Sequence, residues 1–150
     1  MASRRKRSER LRGSMRSVTE GISPEGVARA LFDRLATLVP RELDFTRNGA
    51  VIRLTDPRGV WSEMDCRVFF ENRSEAMVEG ARIASDSVLS TVQDFVTEFL
   101  TDPWPLAPPE SPGLAPPEVV VMEEGIRLLY GTTSDPLLEL PFVPWEELRG

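Results

Sequence analysis

The chain contains no histidine, one cysteine and one lysine among its 150 residues. Without histidine it lacks the commonest general base, metal ligand and pH switch. Ser–His and Cys–His nucleophile pairs are excluded, and so are zinc sites of the Cys/His type. Cys66 cannot form an internal disulfide. Set mid-strand, it reads as a buried thiol in a reducing compartment, so a cytoplasmic location is expected. Lys6 lies in the N-terminal segment, which leaves no interior lysine for Schiff-base chemistry. No Walker-type or dinucleotide glycine loop occurs. No run reaches the roughly 18 apolar residues of a membrane span. The basic N-terminus has no apolar stretch of the secretory kind. The expectation is a protein that is not an enzyme, with no cofactor, no metal and no membrane partner.

Charge is present in quantity but unevenly placed. Residues 1–17 hold seven basic side chains against Glu9 alone, and the rest of the chain holds 11 basic and 23 acidic groups. A basic arm thus precedes an acidic body, and the two attract at low salt. With few apolar side chains, residues 1–20 read as a disordered arm. Arg4, Arg5, Lys6, Arg7, Arg10 and Arg12 are its candidate contacts to nucleic-acid phosphates or an acidic surface. The arm has no aromatic side chain for base stacking.

Residues 21–150 read as a single domain. Ser23, Pro24 and Glu25 form a helix start of N-cap, first-position proline and dipole-matched acid. Val27, Leu31, Leu35 and Leu38 make one stripe, which Pro40 stops. A three-stranded meander follows. Asn48-Gly49 reads as a type I′ hairpin turn, and Asp56-Pro57-Arg58-Gly59 as a second turn. The third strand is expected over Val60–Phe70, with Val60, Met64, Cys66, Val68 and Phe70 on one face. Trp61, Glu63, Asp65, Arg67 and Phe69 take the other. Asn72 and Glu75 match a capping box for a long helix. Its stripe is Met77, Ala81, Ala84, Val88, Val92, Phe95 and Phe99. Seven of the fifteen residues at 103–117 are proline, an extended semi-rigid connector. It includes a minimal PxxP at Pro105–Pro108. Strands are expected at Val119–Met122, Ile126–Tyr130 and Leu137–Leu140, with a helical turn at Trp145–Leu148.

The fold class is therefore α+β: one antiparallel or mixed sheet of five to six strands, packed by a long central helix and a shorter N-terminal helix. The preference for one sheet rests on the marginal stability of a small isolated one. The order of helix, three strands, helix and strands is similar, as order alone, to that of small export chaperones. That likeness concerns the order of elements and does not fix a function.

Two sets of body residues carry chemistry. Glu63 and Asp65 share a strand face about 7 Å apart by strand rise, with Asp44 across the sheet, a weak candidate for metal or acid–base work. Trp61 and Phe69, with Arg67, point away from the face carrying Met64 and form the candidate partner-binding surface. The function expected is a protein-binding module, an adaptor or chaperone-like accessory, whose partner is another protein or a second copy of this chain. The alternative is nucleic-acid association through the arm.

Overall fold

A computed structural model describes residues 19–70, 77–110 and 113–150. The arm up to residue 18 and the Asn72–Glu75 capping box lie outside the described residues. The described residues form two α-helices and two antiparallel sheets.

Helix α1, Pro24–Leu35, begins as its sequence dictates. The Ser23 side chain accepts a hydrogen bond from the Gly26 amide at 3.0 Å, and Pro24 needs no such partner. The helix stops at Leu35, short of Pro40, because the Leu38 and Val39 amides turn back on the Leu35 carbonyl. It buries Val27, Leu31 and Leu35.

The first sheet runs β1 (Asp44–Asn48), β2 (Val51–Thr55) and β3 (Trp61–Asp65) in spatial order. Asn48 pairs with Val51, so the two loop residues are Gly49 and Ala50 and not Asn48-Gly49. Only Gly49 takes a positive φ, +61°. That is the type II′ pattern, with glycine at the first central position, in place of the expected type I′. The second turn forms as expected, with the Gly59 amide donating to the Asp56 carbonyl at 3.0 Å. Burial alternates along β2: Ile52 and Leu54 are buried while Arg53 between them is exposed.

The third strand is shorter than expected. After Asp65 the chain enters a 3₁₀ turn, Cys66–Phe69. The Asp65 carboxylate caps it, accepting from the Arg67 amide at 3.1 Å and from the Arg67 guanidinium. This local competitor ends the ladder and breaks the expected two-residue alternation. Cys66 is buried, Val68 is exposed, and Phe69 and Phe70 both turn back onto the core.

Helix α2, Met77–Leu100, buries Ala81, Ala84, Val88, Leu89, Val92 and Val96. The centre of the buried stripe therefore shifts toward Leu89 and Val96, leaving Phe95 and Phe99 half-buried on its flank. Arg82 pairs with Glu79 one turn back. The proline-rich connector then doubles back along the helix. The Trp104 amide donates to Thr97 Oγ1, and Gln93 Nε2 donates to the Ala115 carbonyl at 2.6 Å.

The remaining strands do not extend the first sheet. β4 (Pro117–Val121), β5 (Gly125–Gly131), β6 (Pro136–Glu139) and β7 (Val143–Pro144) form a second one. β5 is its axis, paired with β4 on one side and with β6 and then β7 on the other. This corrects the expectation of one five- to six-stranded sheet. A small sheet of this kind gains stability by burying both faces, and Ile126, Leu128, Leu129 and Tyr130 are all buried. The 3₁₀ turn Trp145–Leu148 buries Trp145, whose Nε1 donates to the Glu123 carbonyl at 2.9 Å. That turn lies on α1 so closely that a β-carbon on Gly26 would stand 2.0 Å from the Leu148 carbonyl oxygen. Contacts of α1 with β1, β2 and the final turn, and of α2 with β3 and β4, join the two sheets. Side chains from both helices and both sheets meet in one hydrophobic cluster. Among the described residues no helix is long and apolar enough to cross a membrane.

Candidate functional site

β3 pairs only with β2, so its other edge is free among the described residues. Residues at the start of β3 and in the C-terminal half of α2 line a common groove of about 360 Å³. Its strand wall is Val60, Trp61 and Ser62, reached from the Asp56–Gly59 turn. Its helix wall is Thr91, Asp94, Phe95, Glu98 and Phe99. Those five helix positions step by threes and fours and so share one face. An edge strand presents unpaired N–H and C=O groups, a ready template for another extended chain.

Trp61 is 55% exposed, the largest aromatic surface left uncovered among the described residues. Its ring carries the Arg53 guanidinium at 4.4 Å from the centroid. Such a contact is worth about 0.5–1 kcal/mol at an exposed site. Arg53 comes from the neighbouring strand, where it stands opposite Glu63 and diagonal to Trp61. Phe95 and Phe99 add half-buried ring surface opposite.

The electrostatics of the groove are acidic. Asp94 and Glu98 are exposed and make no ion pair with any described residue. Asp56 is buried but satisfied: it accepts from the Arg58 and Val60 amides and pairs with the Arg58 guanidinium at 2.9 Å. Burial alone raises its pKa, yet these hydrogen bonds and the Arg58 charge together hold it below the ordinary carboxylate value. Asp56 thereby fixes the turn and neutralises Arg58. Asp94 and Glu98 remain as open negative charge. No basic residue occurs between Arg82 and Arg127, an interval with eight acidic side chains from Asp86 to Glu124.

Of the three body residues expected to bind a partner, only Trp61 lines this groove. Phe69 packs against the hydrophobic cluster. Arg67 is exposed but held by Asp65 at 2.7 Å, which keeps the Asp65 pKa low. The 3₁₀ turn at Cys66 separates both from the Trp61 face. Glu63 and Asp65 do share the outer face of β3, but Glu63 faces Arg53 and Asp65 is spent on Arg67. Among the described residues no group of three carboxylates or thiols is placed to hold a metal ion. The arm residues Arg4, Arg5, Lys6, Arg7, Arg10 and Arg12 lie outside the described residues.

Sequence reasoning missed Asp94 and Glu98. Phe95 and Phe99 keep their expected place against the hydrophobic cluster, and what sequence reasoning missed is that they also line the groove. The available signal was the pair Asp94–Glu98, spaced i, i+4 with no basic residue within a turn. A second groove, of about 380 Å³, lies between the connector and the β5–β6 loop, with Pro108, Leu114, Pro116 and Leu137 among its walls. It includes part of the PxxP stretch. No protein-family model, no curated protein and no solved structure matches this chain.

Proposed function

We propose that this chain is a non-enzymatic protein-binding module, an adaptor or chaperone-like accessory, that receives an extended segment of another protein in the groove between β3 and α2. The observation that carries the reading is exposed Trp61 on a free strand edge, facing half-buried aromatics and two unpaired carboxylates. An extended guest adds main-chain hydrogen bonds to the β3 edge. Its apolar side chains pack on Trp61, Phe95 and Phe99, and its cationic ones meet Asp94 and Glu98. The buried, unpaired Cys66 thiol is in keeping with a reducing, cytoplasmic setting.

Native co-purification of the full chain, with and without nuclease, tests this against Trp61→Ser. The expected result is a stoichiometric protein that survives nuclease and is lost with Trp61→Ser, while stability changes by less than about 1 kcal/mol. A partner retained by Trp61→Ser refutes the groove as the docking surface. The alternative reading, nucleic-acid association through residues 4–16, is supported by the density of arginine there. It predicts retained nucleic acid whose binding falls steeply with salt and is indifferent to Trp61.

A further inference from the structure

We infer that in the free protein the chain's own basic arm, residues 4–16, occupies the groove between β3 and α2. The inference rests on the groove being a docking surface and names its resident occupant. Four observations converge on it. The helix wall of the groove carries Asp94 and Glu98, whose charges no described residue neutralises, in the part of the chain without basic side chains. The arm is the complementary segment, with seven basic side chains and Glu9 alone in opposition, and it carries Leu11 and Met15 for the aromatic walls. The Trp61 ring already holds one guanidinium, that of Arg53, so this surface takes the arm's main functional group. Finally, the arm is long enough for its basic cluster at residues 4–7 to lie far from Thr19. The fifteen residues from Thr19 back to Arg4 span up to about 50 Å when extended, and a domain of this size is roughly 40 Å across.

Docking in cis makes the arm a competitor for any external segment. The apparent affinity for a partner falls by the fraction of molecules whose groove is open. Binding of a second ligand to the arm's charges then frees the groove, which couples the two charged regions of the chain.

The test uses the full chain carrying Ser8→Cys, labelled with a nitroxide at that position; Cys66 is buried and does not compete for the label. At low salt the amide signals of Asp94–Phe99 and the Trp61 indole signal are expected to lose more than half their intensity. They should recover at about 0.5 M salt, where the Debye length falls to ~4 Å, and in the Asp94→Asn/Glu98→Gln variant. Broadening centred elsewhere, or none, overturns the inference. A second measurement separates that failure from failure of the groove itself. A synthetic peptide of residues 1–18 is titrated onto full chain in which Arg4, Arg5, Lys6 and Arg7 are replaced by Ser. Shifts confined to the groove, together with no broadening in cis, mean that the groove binds cationic segments but does not hold the arm. Neither shifts nor broadening overturns both.

Discussion

The two sheets of this protein solve the same problem in opposite ways. β2 alternates strictly, with Ile52 and Leu54 inward and Arg53 outward, so the first sheet keeps one face against the core and the other in solvent. β5 does not alternate. Leu128 and Leu129 point to opposite faces, yet both are fully buried. The first sheet gains its stability from one side and leaves its outer face and one edge available for contact. The second offers less open face, because its axis strand β5 is buried on both sides. The candidate docking groove lies against the sheet that leaves one face in solvent.

The comparison is most sharply tested by paired truncations in the two axis strands. Leu128→Ala and Leu129→Ala should each cost about 2–5 kcal/mol by urea unfolding. In β2, Ile52→Ala should cost the same, while Arg53→Ala should cost no more than about 1 kcal/mol. A cheap Leu129→Ala would mean that β5 is one-sided after all.

Gly125→Ala should come next, at about 2–3 kcal/mol, because a β-carbon there stands 2.0 Å from the Val143 carbonyl oxygen. Gly49→Ala in the first sheet meets no atom within 4 Å. It should lose only the roughly 1–2 kcal/mol of a left-handed backbone position. Equal losses at the two glycines would deny the close approach of β7 to β5.

Both regions should respond to alkali through a buried acid. Burial, with the nearby Asp65 charge, pushes the Cys66 thiol from 9.0 up to about 12. Burial, with the Asp94 charge, also raises the Tyr130 phenol from 10.0. Above its unfolded pKa each group is protonated only in the folded chain, so the folded state binds more protons and stability falls as pH rises. The loss should begin near pH 9 and approach about 1.4 kcal/mol per pH unit for each group. Cys66→Ala should remove the first part of that slope and Tyr130→Phe the later part. At neutral pH Tyr130→Phe should cost about 1 kcal/mol, the hydrogen bond its hydroxyl donates to the Leu89 carbonyl at 2.8 Å. The smallest expected effect is Thr46→Ala, on the exposed outer face of β1, within about 0.5 kcal/mol.

Much of the fold was legible because it depends on neighbours in sequence. The Ser23-Pro24 cap, the hairpin near Gly49, the Asp56–Gly59 turn and the final Trp145–Leu148 turn all depend on residues two to four apart. The 3₁₀ turn at Cys66 was equally local but was overlooked. Its cue, an aspartate two residues before an arginine, competed with an apparent alternation that continued through Phe69. The candidate site was legible only in part. Trp61 was identified from alternation within its strand. Its opposing wall was not, since whether Phe95 faces the core or the groove depends on how α2 is rotated against β3 and β4.

The sequence by itself determined most of the elements and the Ser23 cap of α1, because backbone preference and side-chain period act over a few residues. Tertiary structure alone decided that the strands divide into two sheets, that β3 keeps a free edge, and that Asp94 and Glu98 stand across from Trp61. Those outcomes turn on which apolar surfaces bury one another across long stretches of chain. Burial is non-directional, and the pattern within one strand records that a face is covered but not by what.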